Sequence, residues 1–243
     1  MAAVPDSRVQ RAYRVRISLF LLAVTLALVV WVVGSRAVQT LRVLDVVEQE
    51  RDGWQQAGPV IEALNVKDGS IVADIGSGAG YFTLKLAAIV GDKGRVIAED
   101  ILREPLAFLW IRAFLRRRHN IQVIHGEQDN PHLPAGQVDA VLVANTYHEF
   151  MHPRAVLNRA FHALHSGGRL VVVDRGPLPG GEESREFETQ HHERDPSEVE
   201  TEIRATGFSL ISRNDRFIEH PALERPGDRP DNHFWWLIVA RKP

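Results

Sequence analysis

From Ile17 to Ser35, nineteen consecutive positions carry no charge, and no polar face interrupts them. A helix of that length is roughly 28 Å long, close to the ~30 Å hydrocarbon core of a bilayer. Arg8, Arg11, Arg14 and Arg16 stand immediately before the run, and Trp31 sits near its far end, where an interfacial aromatic belongs. The pattern predicts a single-pass membrane helix over 17–35, with a basic flank at 1–16. Ala37, Leu41, Leu44 and Val47 then recur at helical spacing, which predicts a juxtamembrane helix or linker over 36–57 and a soluble body over 58–243. A cleaved secretory signal is the competing reading, from the basic start and the triplet Ser35-Arg36-Ala37. Its apolar core would exceed the roughly 7–15 residues usual for such peptides. The four leading arginines favour a cytoplasmic N-terminus and a body on the far side; Arg36 and Arg42 oppose this in part, and the side stays open.

The formal charge of −2 is a cancellation. Residues 1–36 hold five arginines and one aspartate, so the rest of the chain carries 24 basic against 30 acidic groups. A basic membrane-facing end is thus joined to an acidic body, which makes nucleic acid a poor partner. The absence of cysteine removes disulfides, thiolate metal sites and thiol nucleophiles together.

Beyond residue 58 the chain alternates strand and helix patterns. Gly58-Pro59 breaks a first helix, and Val60–Leu64 reads as a short second one. Strands are expected at Ser70–Ile75, Arg95–Ala98, Ile121–Ile124, Val138–Val143, Arg169–Asp174, Phe208–Phe217 and Phe234–Arg241. Several are continuously apolar, as in buried parallel sheets. Helices are expected at Gly80–Val90, with Phe82, Leu86 and Ile89 on one side, at Leu102–Arg118, and at Arg154–His165, closed by Ser166-Gly167-Gly168. A last one starts at Ser197 with a capping box to Glu200. Seven strands so arranged mean an open, mostly parallel α/β sheet with helices on both faces, which binds ligands at the carboxyl ends of its strands.

The first strand–turn–helix reads Val72-Ala73-Asp74-Ile75-Gly76-Ser77-Gly78-Ala79-Gly80-Tyr81-Phe82. Glycines let the backbone approach a ligand, and the helix start presents free N–H groups. Asp74 adds a carboxylate that would repel a pyrophosphate and attract a cation. The spacing is G-x-G-x-G rather than the dinucleotide G-x-G-x-x-G. Twenty residues after Gly80, Asp100 ends the second strand, where an acid can accept both hydroxyls of a ribose. A ribose and a positive centre without phosphates describe S-adenosylmethionine.

On these residues the chain resembles the class I S-adenosylmethionine-dependent methyltransferases, over residues 51–241. The resemblance implies a Rossmann-like fold and small-molecule methyl transfer. It places Asp74, Gly76, Ser77, Gly78 and Gly80 around the methionine part of the cofactor and Asp100, or its neighbour Glu99, at the ribose. It places an acid of Gly126-Glu127-Gln128-Asp129, either Glu127 or Asp129, at the adenine amine. Leu133-Pro134, Val138-Asp139 and Asn145-Thr146-Tyr147-His148-Glu149 are similar to one small-molecule sub-group, with Asn145 toward the cofactor. So are Trp54-Gln55 and the segment His191-His192-Glu193. Trp54 is either a lid on the sheet or a ligand contact. The membrane segment is an addition to the catalytic fold.

The implied chemistry is in-line displacement at a sulfonium methyl group, in which the protein supplies proximity, orientation and, where needed, a base. Tyr147 and His148 follow the fourth strand, and His191 and His192 follow the fifth. His148 is the first candidate base, His191 or His192 the second; alternatively His148 and Glu149 only hold the loop. Two other functions compete. One is a membrane-anchored zinc peptidase, since His148-Glu149-Phe150-Met151-His152 fits H-E-x-x-H, although Pro153 follows directly. The other is a cofactor-binding protein without catalysis. A membrane anchor favours a lipid-soluble or membrane-delivered acceptor.

Overall fold

The computed structural model describes residues 7–176, 193–219 and 234–243. The chain divides into two compact units, Met1–Val47 and Glu48–Pro243. The first unit holds most of helix α1 (Ser7–Asp52), whose apolar part is long enough to cross a membrane and has none of its apolar window buried by protein.

In the second unit α2 (Ala57–Leu64) leads to β1 (Ile71–Ile75), α3 (Tyr81–Val90), β2 (Arg95–Asp100), α4 (Arg103–Leu115), β3 (Ile121–His125) and β4 (Val138–Ala144). A 3₁₀ turn (Tyr147–Glu149) is followed by α5 (Pro153–Ala163), β5 (Leu164–Arg175), α6 (Pro196–Ala205), β6 (Ser209–Glu219) and β7 (Phe234–Arg241). The strands form one seven-stranded sheet in the order β3-β2-β1-β4-β5-β7-β6. β7 runs antiparallel to both neighbours, and the pairs from β3 to β5 are parallel.

Alternation along the central strands sorts the core onto two faces. Val141, Val143, Leu170 and Val172 pack with Val156, Leu157 and Ala160 of α5 and Val199 and Ile203 of α6. Ala140, Leu142, Val171 and Val173 pack with Val60 and Leu64 of α2 and Phe82, Leu86 and Val90 of α3. Leu106, Leu109 and Ala113 of α4 close over Ala98 and Leu84. The order of strands reverses between β1 and β4, which opens a crevice at their carboxyl ends.

Four local expectations are corrected. Gly58-Pro59 does not precede the second helix but lies within its first turn, where proline's missing N–H has no intrahelical partner to lose. Ser166-Gly167-Gly168 does not close α5; Leu164 is already extended, fully buried and paired with Val138, so β5 starts there. The cap of α6 is Asp195, whose carboxylate accepts from the N–H groups of Ser197 and Glu198, with Pro196 in the first turn. Ile89 of α3 is exposed, because the buried face of that helix is Phe82, Leu86 and Val90.

Candidate active site

The turn after β1 is pinned from below: the N–H groups of Gly76 and Ser77 both donate to the Glu99 carbonyl at 2.9 Å, and Gly80 N–H donates to Ser77 O at 2.9 Å. Gly76 has φ +71°, and a Cβ there would collide with the side chain of Thr146, which follows β4. Thr146 Oγ1 in turn donates to the Gly76 carbonyl at 3.3 Å. The β1 and β4 ends therefore meet through a glycine and a threonine, with no room for a side chain. A Cβ on Gly80 would meet Leu109 of α4, whereas one on Gly78 meets nothing. The turn is thus tight against the protein at its ends and open in its middle.

Asp100 faces that opening. Its Oδ2 accepts from Gly78 N–H at 2.9 Å and its Oδ1 from Leu102 N–H at 2.8 Å, so it shapes the turn while keeping lone pairs for a ligand's hydroxyls. Ser77 Oγ is buried and has no hydrogen-bond partner among the described residues, an orphan that a ligand would satisfy. Asn145 lies at the end of β4 with φ 56°, and its N–H donates to Val173 O at 2.8 Å.

Asp74 does not project from the strand end as expected from sequence. It is 2% exposed, and its Oδ2 accepts from Thr83 Oγ1 of α3 at 2.6 Å. Burial pushes its pKa up to about 6, against the Thr83 hydrogen bond and with help from the Asp100 charge. Glu99 is 3% exposed beside Gly126, where a Cβ would overlap its carboxylate; burial, then Asp100, pushes it up to about 8. Three carboxyl groups thus surround the turn, an environment that a positively charged ligand would relieve.

Glu99 carries a testable pH signature. Its ordinary value is near 4.5, so between there and about pH 8 the folded chain holds a proton that the unfolded chain has released. Stability contributed by this proton falls as pH rises through that window. Glu99→Gln is therefore expected to melt progressively higher than the wild type as pH goes from 5 to 9, read by thermal denaturation.

The loop after β4 is built differently from a free catalytic loop. His148 is 1% exposed, its Nδ1 lies 2.9 Å from Asp174 Oδ1, and its N–H donates to Asp174 Oδ2 at 3.0 Å. Nε2 lies 3.7 Å from Glu149. Burial opposes the imidazolium, but the hydrogen bonds it donates to Asp174 and Glu149 outweigh this and raise the pKa to about 9. This favours the charged ring at pH 7, in a pair that holds the loop to β5. Removing one partner of such a pair costs about 3–5 kcal/mol. His148→Ala is expected to lose that much stability at pH 7 in a denaturant melt. The deficit should shrink as pH rises through 9, where the wild-type pair itself discharges. Tyr147 is also buried, its hydroxyl donating to Glu202 of α6 at 2.5 Å.

Of the remaining expected residues, Glu127 and Asp129 are exposed in the turn after β3, where Glu127 faces His132 at 3.5 Å. His191 and His192 lie outside the described residues. Trp54 packs against Trp235 with ring centroids 5.5 Å apart, as a lid on the sheet. His148 and His152 do not form the one-turn helical pair of a zinc peptidase. The first sits in a 3₁₀ turn and is bound to Asp174, and the second caps α5.

Three contributors to the site escaped the sequence reading. Thr83 lies between Phe82 and Leu84 on α3, and Asp174 follows the apolar run Leu170–Val173 of β5; both were visible signals. Arg112 stands on the buried face of α4, where Nη1 donates to the Ala79 carbonyl of the glycine turn at 2.5 Å, and it pairs with Glu48. Arg51 lies over the Tyr81 ring at 4.0 Å, and Asp52 accepts from the Tyr81 hydroxyl at 2.9 Å.

The sheet order and the glycine turn at the β1/β4 reversal give a Rossmann-like methyltransferase fold. Residues 73–172 match the family model described as a methyltransferase domain. The ubiquinone/menaquinone biosynthesis C-methyltransferase UbiE of Ectopseudomonas mendocina is 30% identical over 115 residues, 47% of this chain and 45% of that protein. The chain thus spans about half the length of the curated relatives it matches. Among solved structures, a SAM-dependent methyltransferase from Aquifex aeolicus superposes with a TM-score of 0.61 at 21% identity, covering 76% of this chain and 88% of that one. Phosphoethanolamine N-methyltransferase 2 of Haemonchus contortus, in complex with S-adenosyl-L-methionine, superposes at 0.63 with 16% identity, covering 78% and 53%.

Proposed function

We propose that the chain is an S-adenosylmethionine-dependent methyltransferase that acts on a small, membrane-delivered acceptor. The observation that carries this reading is the glycine turn, tight at Gly76 and Gly80, open at Gly78, lined by an orphaned Ser77 hydroxyl and ringed by Asp74, Glu99 and Asp100. That donor set fits a ligand with hydroxyls and a positive centre. When bound, S-adenosylmethionine supplies a methyl group on a sulfonium, open to in-line displacement.

Asp100 would hold the ribose hydroxyls, the backbone of Gly76, Ser77, Gly78 and Gly80 the methionine part, and Glu127 or Asp129 the adenine amine, with Asn145 at the rim. Asp74 acts through its field from inside the core. The His148–Asp174 pair fixes the floor of the acceptor side, so the chain's contribution to rate is chiefly orientation and exclusion of water. A base, where the acceptor needs one, is sought at His191 or His192. Relatives named for ubiquinone and menaquinone biosynthesis, together with the apolar helix α1, which we read as a membrane span over 17–35, support a lipid-soluble acceptor.

The test incubates the full chain with methyl-labelled cofactor and a membrane lipid extract. Label transferred into the organic phase is expected. Cofactor binding without transfer to any lipid or water-soluble fraction would instead favour the non-catalytic alternative.

A further inference from the structure

Helix α4 carries two apolar stripes, and only one is used. Leu106, Leu109 and Ala113 face the core. Arg103, Ala107, Trp110 and Phe114 stand at i, i+4, i+7 and i+11, a single line about 100° around the helix from the core-facing one. Trp110 is 63% and Phe114 66% exposed, their rings stacked with centroids 6.2 Å apart. Leu102 before the helix and Leu115 at its end are also exposed, at 58% and 64%. Large apolar groups gathered this way on a water-facing surface mark a contact site.

The surrounding charge says what the contact is. Arg103 opens the stripe, and exposed Arg117 and Arg118 come just after the helix, while Glu104, the one acid in the first turn of α4, lies about 100° around it from Arg103. Indole and phenyl rings flanked by guanidinium groups match the headgroup zone of an anionic bilayer, where the rings enter the acyl boundary and the cations meet phosphates. The chain itself supplies proximity. Twelve residues, 36–47, join the end of the uncharged run to the second unit. Even fully extended they reach only about 40 Å, so a membrane holding 17–35 keeps α4 at a high local concentration near its surface.

We propose that the exposed face of α4 is a membrane-docking surface that takes anionic phospholipid. This rests on the reading of 17–35 as a membrane span, and the measurement separates the two. The Asp100 end of β2 is joined to α4 by Ile101 and Leu102 alone, so docking through this face places the cofactor turn close to the bilayer from which a lipid-soluble acceptor would come.

The absence of cysteine makes the experiment direct. Full-length chains carrying Phe114→Cys, Leu26→Cys or Arg154→Cys, each spin-labelled, are reconstituted in phosphatidylcholine vesicles with and without phosphatidylglycerol. Accessibility to oxygen and to a water-soluble nickel complex is then read. With anionic lipid, the ratio of oxygen to nickel accessibility at Phe114 is expected to exceed that at the Arg154 control at least ~5-fold, as for a side chain in the acyl boundary. Adding Arg103→Glu and Arg118→Glu should return it to the control value. A Phe114 label in water while the Leu26 label is in hydrocarbon would overturn the docking face and leave the span standing. Shielding from both probes would mean that a protein covers the face, and would overturn it too. A water-exposed Leu26 label with Phe114 still in lipid would overturn the span alone; both in water would overturn both.

Discussion

Replacing Gly76 by alanine is expected to lower the melting temperature by about 10 °C and to weaken cofactor binding at least ~100-fold. The backbone there has φ +71°, a conformation that costs an L residue roughly 1–2 kcal/mol. The added methyl group would also run into Thr146, and overpacking of that kind costs about 1–3 kcal/mol. A domain of this size loses about 2–4 °C per kcal/mol. The N–H groups of Gly76 and Ser77 are pinned to one carbonyl, so a displaced turn moves every backbone donor that a ligand would meet. The double variant Gly76→Ala with Thr146→Gly removes every Thr146 side-chain atom that the new methyl group would meet, Cβ at 2.7 Å included, and should recover part of both losses. No recovery would show that the β1–β4 contact is not what holds the turn.

Asp100→Ala should leave the fold in place and weaken S-adenosylmethionine and S-adenosylhomocysteine alike, by about 100-fold or ~2.7 kcal/mol. Its carboxylate is partly exposed, so the N–H groups of Gly78 and Leu102 that it binds can turn to water once it is gone. The loss is that of charge-assisted hydrogen bonds to hydroxyls present in both ligands, at about 1.5–3 kcal/mol each. Asp74→Asn should behave differently. It removes a buried charge that only the sulfonium ligand feels, so it should reduce discrimination between the two ligands in calorimetric titration. Equal weakening of both by Asp74→Asn would remove the electrostatic role assigned to that residue.

The sheet was legible because continuously apolar runs such as Leu170–Val173 and Leu142–Val143 can be satisfied only by burial on both faces. The errors came where two local signals competed. Ser197 with Glu200 resembles a cap, but Asp195 stands one residue before Pro196, and proline at the first helical position fixes the start there. Gly167-Gly168 resembles a helix stop, but the buried Leu164 beside Val138 had already extended the chain.

In the candidate site the glycines and Asp74 could be picked out along one strand–turn–helix, and Asp100 from its place at the end of the next strand. What could not be read was pairing across the fold. Asp174 stands 26 positions from His148 and ties its ring to β5. Arg112 stands 33 positions from Ala79 and reaches the glycine turn from a neighbouring helix. Thr83 turns the Asp74 carboxylate inward. Each is a tertiary contact whose partner no local pattern specifies.

Titration calorimetry of the purified full-length chain, held in detergent or a lipid disc, with S-adenosylmethionine and then S-adenosylhomocysteine tests the central claim most directly. One molecule bound per chain at micromolar affinity, weakened about 100-fold in Asp100→Ala, is the predicted result. Absence of binding heat for either ligand at millimolar concentration, from protein with the wild-type melting transition, would contradict it.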